Sequence, residues 1–205
     1  MLMSARRAGE GERMVRAQKW PGWHPTQLLG MHLSGKTVGI VGMGRIGQAI
    51  GRRCHFGFGM SVYYVNRSTK SVDFSATQVS DLKTLAGQVD VLVVAVPGGG
   101  ETHHLVNGPV LEAMQPHAHL INIARGDVVE EAALISALQV GQIAGAGLDV
   151  YEFEPKVPQA LLDMENVTVL PHLGTAALDV RTDMGLMAVN NLRAFFTGED
   201  VPNLV

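Results

Sequence analysis

Cysteine is almost absent from this chain. Cys54 stands alone, which excludes an internal disulfide and any zinc site built on cysteines. It falls within a predicted helix, where it reads as a buried small hydrophobe. No apolar run approaches the roughly 20 residues that a membrane-spanning helix needs. The start, Met1-Leu2-Met3-Ser4-Ala5-Arg6-Arg7, is no signal peptide, because its basic residues follow the short apolar part. Excess positive charge is missing as well. Sixteen Lys and Arg against 19 Asp and Glu leave a net charge of −3, so there is no broad basic surface for nucleic acid. Aromatic residues make up only 5%, yet hydrophobic content reaches 46%, which suits a globular, cytoplasmic chain. Neither a repeat nor a low-complexity tract interrupts it. The 205 residues suffice for a sizeable core and one domain, with or without a fragment of another.

What is present centres on Thr37 to Gly47, T-V-G-I-V-G-M-G-R-I-G. Val38 to Val41 reads as a buried strand. Gly42-Met43-Gly44-Arg45-Ile46-Gly47 fits G-x-G-x-x-G, and Ile46 to Phe56 continues as a helix. Strand, glycine turn and helix in that order predict a dinucleotide site. Gly42 allows the tight turn, Gly44 lets a pyrophosphate approach the backbone, and Gly47 lets the helix pack close to the strand. The free N–H groups at the helix start face the phosphates.

Around this motif strands and helices alternate. Strands are predicted at 61–65, 89–96, 120–123, 143–150 and 167–170, and helices at 4–19, 81–86, 130–140 and 176–196. Residues 101–107 and 109–114 read as short helical turns. The run V-D-V-L-V-V-A-V at 89–96 fits a strand buried on both faces. The pattern is that of an α/β fold, a Rossmann-type doubly wound parallel sheet with helices on both faces. Trp20-Pro21-Gly22-Trp23-His24-Pro25 breaks the first helix and reads as an extended segment that packs on another domain or subunit.

One absence is informative about the cofactor. An NAD site places a carboxylate near the end of the second strand to grip the ribose hydroxyls. Here the chain reads Val65-Asn66-Arg67-Ser68-Thr69-Lys70, with no acid. Arg67 can pair with a 2′-phosphate through two N–H donors, which argues for NADP over NAD.

Three polar sets follow strand ends on the carboxyl edge, where ligands bind in this architecture. Arg125 follows the fourth predicted strand, Asp149, Glu152 and Glu154 the fifth, and His172 the sixth. Arginine can clamp a carboxylate and histidine can transfer a proton near neutral pH. The other histidines, His103, His104, His117 and His119, lack the spacing of a metal set and read as surface or packing residues.

Five motifs in order now carry a resemblance. L-S-G-K-T-V-G-I-V-G-M-G-R-I-G, P-G-G-G-E-T-H-H-L-V-N, N-I-A-R-G-D-V-V-E-E-A-A-L, G-L-D-V-Y-E-F-E-P and L-P-H-L-G-T-A resemble the D-isomer-specific 2-hydroxyacid dehydrogenases over essentially the whole chain. Within that family, the N-R after the second strand and the P-G-G-G loop look most like NADPH-dependent glyoxylate/hydroxypyruvate reductases. The resemblance implies a reduction of small 2-oxo acids to D-2-hydroxy acids. Arg125 would hold the substrate carboxylate and polarise the ketone. His172 would protonate the developing alkoxide, and Glu154 would orient that histidine. Arg45 and Ile46 would offer backbone to the pyrophosphate. Asp149 would lie near the nicotinamide, Asn66, Arg67 and Ser68 would meet the 2′-phosphate, and Pro97 and Thr102 would line the adenosine side. Val96, Ile123, Ala124 and Gly174 complete the expected cofactor contacts. The resemblance implies a homodimer, and composition and spacing give the expectation of no metal and no membrane or nucleic-acid partner.

Family members are longer and begin with a flavodoxin-like substrate domain, which the resemblance does not find here. The expected organisation is a helix and crossing segment at 1–30, a dinucleotide-binding domain at 31–188, and a returning helix end and tail at 189–205. The alternative function is a catalytically inactive NADP(H)-binding fragment or cofactor-sensing module.

Overall fold

A computed structural model describes residues 1–204. Residues Met1–Pro171 form one compact unit, and a second begins at His172. The first unit holds a seven-stranded, wholly parallel sheet. Its strands are β1 (Thr37–Val41), β2 (Ser61–Val65), β3 (Ala76–Gln78), β4 (Val91–Val94), β5 (His119–Asn122), β6 (Gly145–Leu148) and β7 (Val167–Val169). They are ordered β3-β2-β1-β4-β5-β6-β7, so the chain builds outward one way from β1 and then returns to build the other way from β4. The crevice at that reversal, outside the carboxyl ends of β1 and β4, is where a ligand fits in such a sheet.

Both faces are covered, which is why the central strands read as unbroken apolar runs. Leu92 and Val94 of β4 enter one core cluster with Leu120, Leu134 and Leu161, whereas Val91 and Val93 enter the other with Ile40, Val62 and Ile121. The helices are α1 (Leu2–Ala5), α2 (Ala8–Arg16), α3 (Arg45–Phe58), α4 (Leu82–Gln88), α5 (Gly108–Ala113), α6 (Glu131–Gln139), α7 (Gln159–Asp163) and, in the second unit, α8 (Leu178–Thr197). Asp81 caps α4 by accepting the Thr84 N–H at 2.8 Å, and Asn107 caps α5 with a proline in the first turn. Gly59, at φ 61°, ends α3, and Gly198, at φ 73°, ends α8. No helix among the described residues is long and apolar enough to cross a membrane.

Some elements differ from the sequence expectations. The helix expected at 4–19 is split at Arg7, whose φ is 52°. The Ala5 carbonyl, which a continuous helix would give to Gly9, instead accepts the Met31 N–H at 2.7 Å. Of residues 101–107 only the first two are helical, in a single 3₁₀ turn at Gly100–Thr102. Trp20 and Trp23 are 53% and 79% exposed, and the Trp20 indole donates to Gln27 Oε1 at 3.1 Å. Cys54 is buried in α3 and burial pushes its thiol up to about 11, so it packs as an inert hydrophobe.

His119, at the start of β5, is 8% exposed, with Nδ1 2.8 Å from Ser4 Oγ. Burial, then the amino terminus and His117, push its imidazole from 6.5 down to about 4. The unfolded chain therefore takes up this proton at higher pH than the native one. The stability that a neutral His119 provides is whole above about pH 6.5 and is lost as pH falls towards 4. Between pH 7 and 4.5 the loss at this position is about 2 kcal/mol. Urea midpoints at the two pH values check it: the difference shrinks in His119→Leu if the assignment holds.

Candidate active site

The carboxyl edge of β1 delivers the chain into Gly42, which sits at φ 95°. A side chain there would meet Val96 Cγ1 at 2.7 Å and the Ala95 carbonyl oxygen at 2.9 Å. A Cβ on Gly47 would overlap the Gly42 carbonyl oxygen, so only glycine lets α3 lie this close to the turn. Gly44 differs: a side chain there would meet no protein atom and would project into open space. It is also the N-cap of α3 and offers no side-chain cap, which leaves the first N–H groups of the helix facing the cavity. These features fit a bound pyrophosphate.

Two cavities share Gly44, Val96, Pro97, Gly98 and Gly99. One, of about 710 Å³, is bordered by Arg45 and Ile46 on one side and by Ile123, Ala124 and Arg125 on the other. The other, of about 550 Å³, runs towards the end of β2, where Asn66, Arg67, Ser68 and Lys70 line it opposite Glu101 and Thr102. A third cavity, of about 800 Å³, opens instead at the amino edge beside Lys36, His117 and His119. Its charges are satisfied within the protein. Asp90 lies 2.7 Å from His117 Nε2 and 3.9 Å from Lys36 Nζ, and Arg7 pairs with Glu10 at 2.7 Å. The two cavities at the carboxyl edge are lined by Arg125 and by expected cofactor contacts from the loops after β1, β2, β4 and β5, whereas Asp149 and Glu154 line neither.

Asn66 and Thr102 build the walls of this region. Asn66 Oδ1 accepts the Met43 N–H at 3.1 Å and its Nδ2 donates to the Ser68 carbonyl at 2.7 Å, so it pins the glycine turn to the β2 loop. Thr102 Oγ1 lies 2.8 Å from the Pro97 carbonyl and 3.1 Å from that of Gly99. Arg67, by contrast, reaches across to Glu101, with Nη1 3.1 Å from Oε2.

Arg125 is exposed just beyond β5, and Asn122 fixes the turn that presents it. The buried Asn122 side chain accepts the Ala124 N–H at 3.0 Å and donates to the Arg125 carbonyl at 2.9 Å. Arg125 Nη1 donates to the Ala124 carbonyl at 2.6 Å. Gly98 lies against this arginine, and a Cβ there would come within 2.7 Å of its Cγ. Asn122 and Gly98 were not among the expected site residues. A polar residue ending an apolar strand is the signal that marks Asn122, whereas Gly98 depends on what lies across the cleft.

The loop after β6 carries Asp149, which is buried, and the exposed Glu154, which precedes a cis Pro155. Glu154 Oε1 accepts the Tyr151 N–H at 3.1 Å. Tyr151 is buried and its hydroxyl donates to the Leu170 carbonyl at 3.0 Å. Burial pushes its phenol up, and the charges of Asp149, Glu154 and Glu131 push the same way. The adjacent His103 and His104 converge here with Glu152, 48 residues beyond His104, with ligand-type atoms within 4.8 Å of one another. The two imidazoles are stacked at 3.9 Å, and His104 Nε2 meets Glu152 Oε1 at 3.0 Å. The histidine–glutamate pair ties the β4 loop to the β6 loop.

In the second unit His172 is exposed and adopts φ 56°, a left-handed conformation uncommon for a residue with a side chain. Gly174 follows two residues later, before α8 begins at Leu178.

Residues 1–174 match the family model described as D-isomer specific 2-hydroxyacid dehydrogenase, NAD binding domain. Over its full length the chain is 44% identical to a glyoxylate reductase from Thermococcus litoralis, covering 63% of that protein. It is 46% identical to glyoxylate/hydroxypyruvate reductase B from Pectobacterium carotovorum, covering 65% of it. The chain thus spans under two thirds of the length of these relatives. The fold matches, with TM-score 0.92, 42% identity and coverage of 100% of this chain and 63% of the other, an NADPH-dependent glyoxylate/hydroxypyruvate reductase from Sinorhizobium meliloti in complex with NADP and malonate.

Proposed function

This chain belongs to the D-isomer-specific 2-hydroxyacid dehydrogenase family, and we propose that it binds NADPH and supports reduction of small 2-oxo acids of the glyoxylate and hydroxypyruvate type. The observation that carries this reading is the cavity that the start of α3 and Arg125 border together. It sets an anion-binding helix terminus and a carboxylate-binding guanidinium on one space.

When bound, the nicotinamide supplies the hydride. Arg125 holds the substrate carboxylate through two N–H donors and so fixes the carbonyl carbon for attack. His172 gives a proton to the carbonyl oxygen as it becomes an alkoxide, and the product is the 2-hydroxy acid. Glu154, steadied by the Tyr151 N–H, is the carboxylate that serves this proton transfer. NADP is the preferred cofactor, because the loop after β2 lines this cavity with Arg67, Ser68 and Lys70 and contributes no acid, the one carboxylate there being Glu101 from the turn after β4. A homodimer belongs to the same reading and is supported by the exposure of Trp20 and Trp23.

Fluorescence titration with NADPH and NADH, followed by addition of glyoxylate, tests this. The expected result is binding of NADPH at least about tenfold tighter than NADH, worth about 1.4 kcal/mol, and oxidation of NADPH on adding glyoxylate. Equal or tighter binding of NADH would refute the cofactor assignment. Binding without turnover would leave the chain as an NADP(H)-binding module.

A further inference from the structure

We propose that Glu101 sets cofactor selectivity by competing with the 2′-phosphate of NADP for Arg67. The inference rests on the NADP reading above. Arg67 comes from the loop after β2 and Glu101 from the 3₁₀ turn after β4, the two segments that flank the 550 Å³ cavity. Their side chains meet at 3.1 Å, and both are almost fully exposed. Among the described residues lining that cavity, Glu101 is the only carboxylate.

The two dinucleotides differ at the group that would sit here. NADP carries a phosphate on the adenosine ribose where NAD carries a hydroxyl. A phosphate must draw Arg67 away from Glu101 and then remain near that carboxylate. A hydroxyl does neither, and leaves the ion pair standing. Glu101 therefore weakens NADP binding and is neutral towards NAD. Asn66 cannot take over for Arg67, because its amide is engaged by the Met43 N–H and the Ser68 carbonyl. Because the pair is exposed, its strength is modest and sensitive to salt.

NADPH and NADH affinities of wild type, Glu101→Gln, Arg67→Gln and the double variant test the proposal. Glu101→Gln should bind NADPH about three- to tenfold tighter and NADH within about twofold of wild type. The gain should shrink at high ionic strength. In the Arg67→Gln background the same substitution should gain less, because the competition is gone and only the repulsion between phosphate and carboxylate remains. Equal gains for both cofactors, no gain, or an undiminished gain without Arg67 would overturn it. A wild-type preference for NADH would sink the NADP assignment, but the response of NADPH affinity to Glu101→Gln would still decide the role of Glu101. Thermal melts of the four proteins should coincide, since neither side chain is buried.

Discussion

Gly126→Ala is expected to cost about 4 kcal/mol or more and to lower the melting temperature by roughly 10 °C. Gly126 is buried and begins the 3₁₀ turn Gly126–Val128 that follows Arg125. A Cβ there would overlap the Tyr151 carbonyl group and the Glu152 nitrogen. These are backbone atoms, so no rotamer change relieves the clash, and the two loops must separate. That separation breaks a set of linked contacts. The Glu152 N–H donates to Glu131 Oε2 at 3.3 Å, the Glu131 N–H donates to Glu152 Oε2 at 3.4 Å, and His104 N–H donates to the Asp127 carbonyl at 2.8 Å. Glu131 is a sensitive member, because burial and then the Glu152 charge already push its carboxyl up. Gly108→Ala is the control. Nothing lies within 4 Å of its added Cβ and it sits in the first turn of α5, so it should be neutral or slightly stabilising. Urea unfolding of both variants decides the matter, and a Gly126→Ala protein as stable as Gly108→Ala would show that the loops are not rigidly joined.

The contrast between these glycines marks what sequence can convey. Gly42 and Gly47 were legible because their roles follow from a local order of strand, turn and helix. Gly126 and Gly98 were not, because their neighbours, Tyr151 and Arg125, lie 25 and 27 residues away and meet them only across the folded loops. Strands with apolar runs were read to within two residues at either end, since burial on both faces dictates their composition. β3 was missed: Ala76-Thr77-Gln78 is short and polar and lies at the sheet edge, where one-sided pairing suffices. The split of the first helix depends on Met31 claiming the Ala5 carbonyl, a contact between segments that no local propensity reports. The same limit applies to Asn66. Its place after β2 suggested a ligand contact, and it lines the cavity there, but its second tie, to the glycine turn, shows only once the chain is folded. The gathering of His103, His104 and Glu152 was likewise invisible, because it joins the loops of two different strands.

Replacing His172 by asparagine is expected to lower glyoxylate-dependent oxidation of NADPH by about 10²- to 10⁴-fold while leaving NADPH affinity within about twofold. Asparagine is the informative substitution because of the backbone. His172 holds φ 56°, a region where the crowding of Cβ disfavours most residues and which asparagine tolerates better than alanine. Alanine would combine loss of the imidazole with a tendency to leave that conformation, and a fall in rate would then have two causes. Asparagine keeps a planar polar side chain and the backbone preference but has no group that exchanges a proton near neutral pH. The sequence places His172 in the motif L-P-H-L-G-T-A, and the left-handed backbone is a second, independent sign that this position is not an ordinary loop residue, since such strain persists where the surroundings demand it. Steady-state kinetics beside cofactor titration separates the readings. A large loss in kcat at constant cofactor affinity fits proton transfer. Parallel losses in NADPH affinity and melting temperature would instead assign the imidazole to holding the turn before α8, and the proton donor would have to be sought elsewhere.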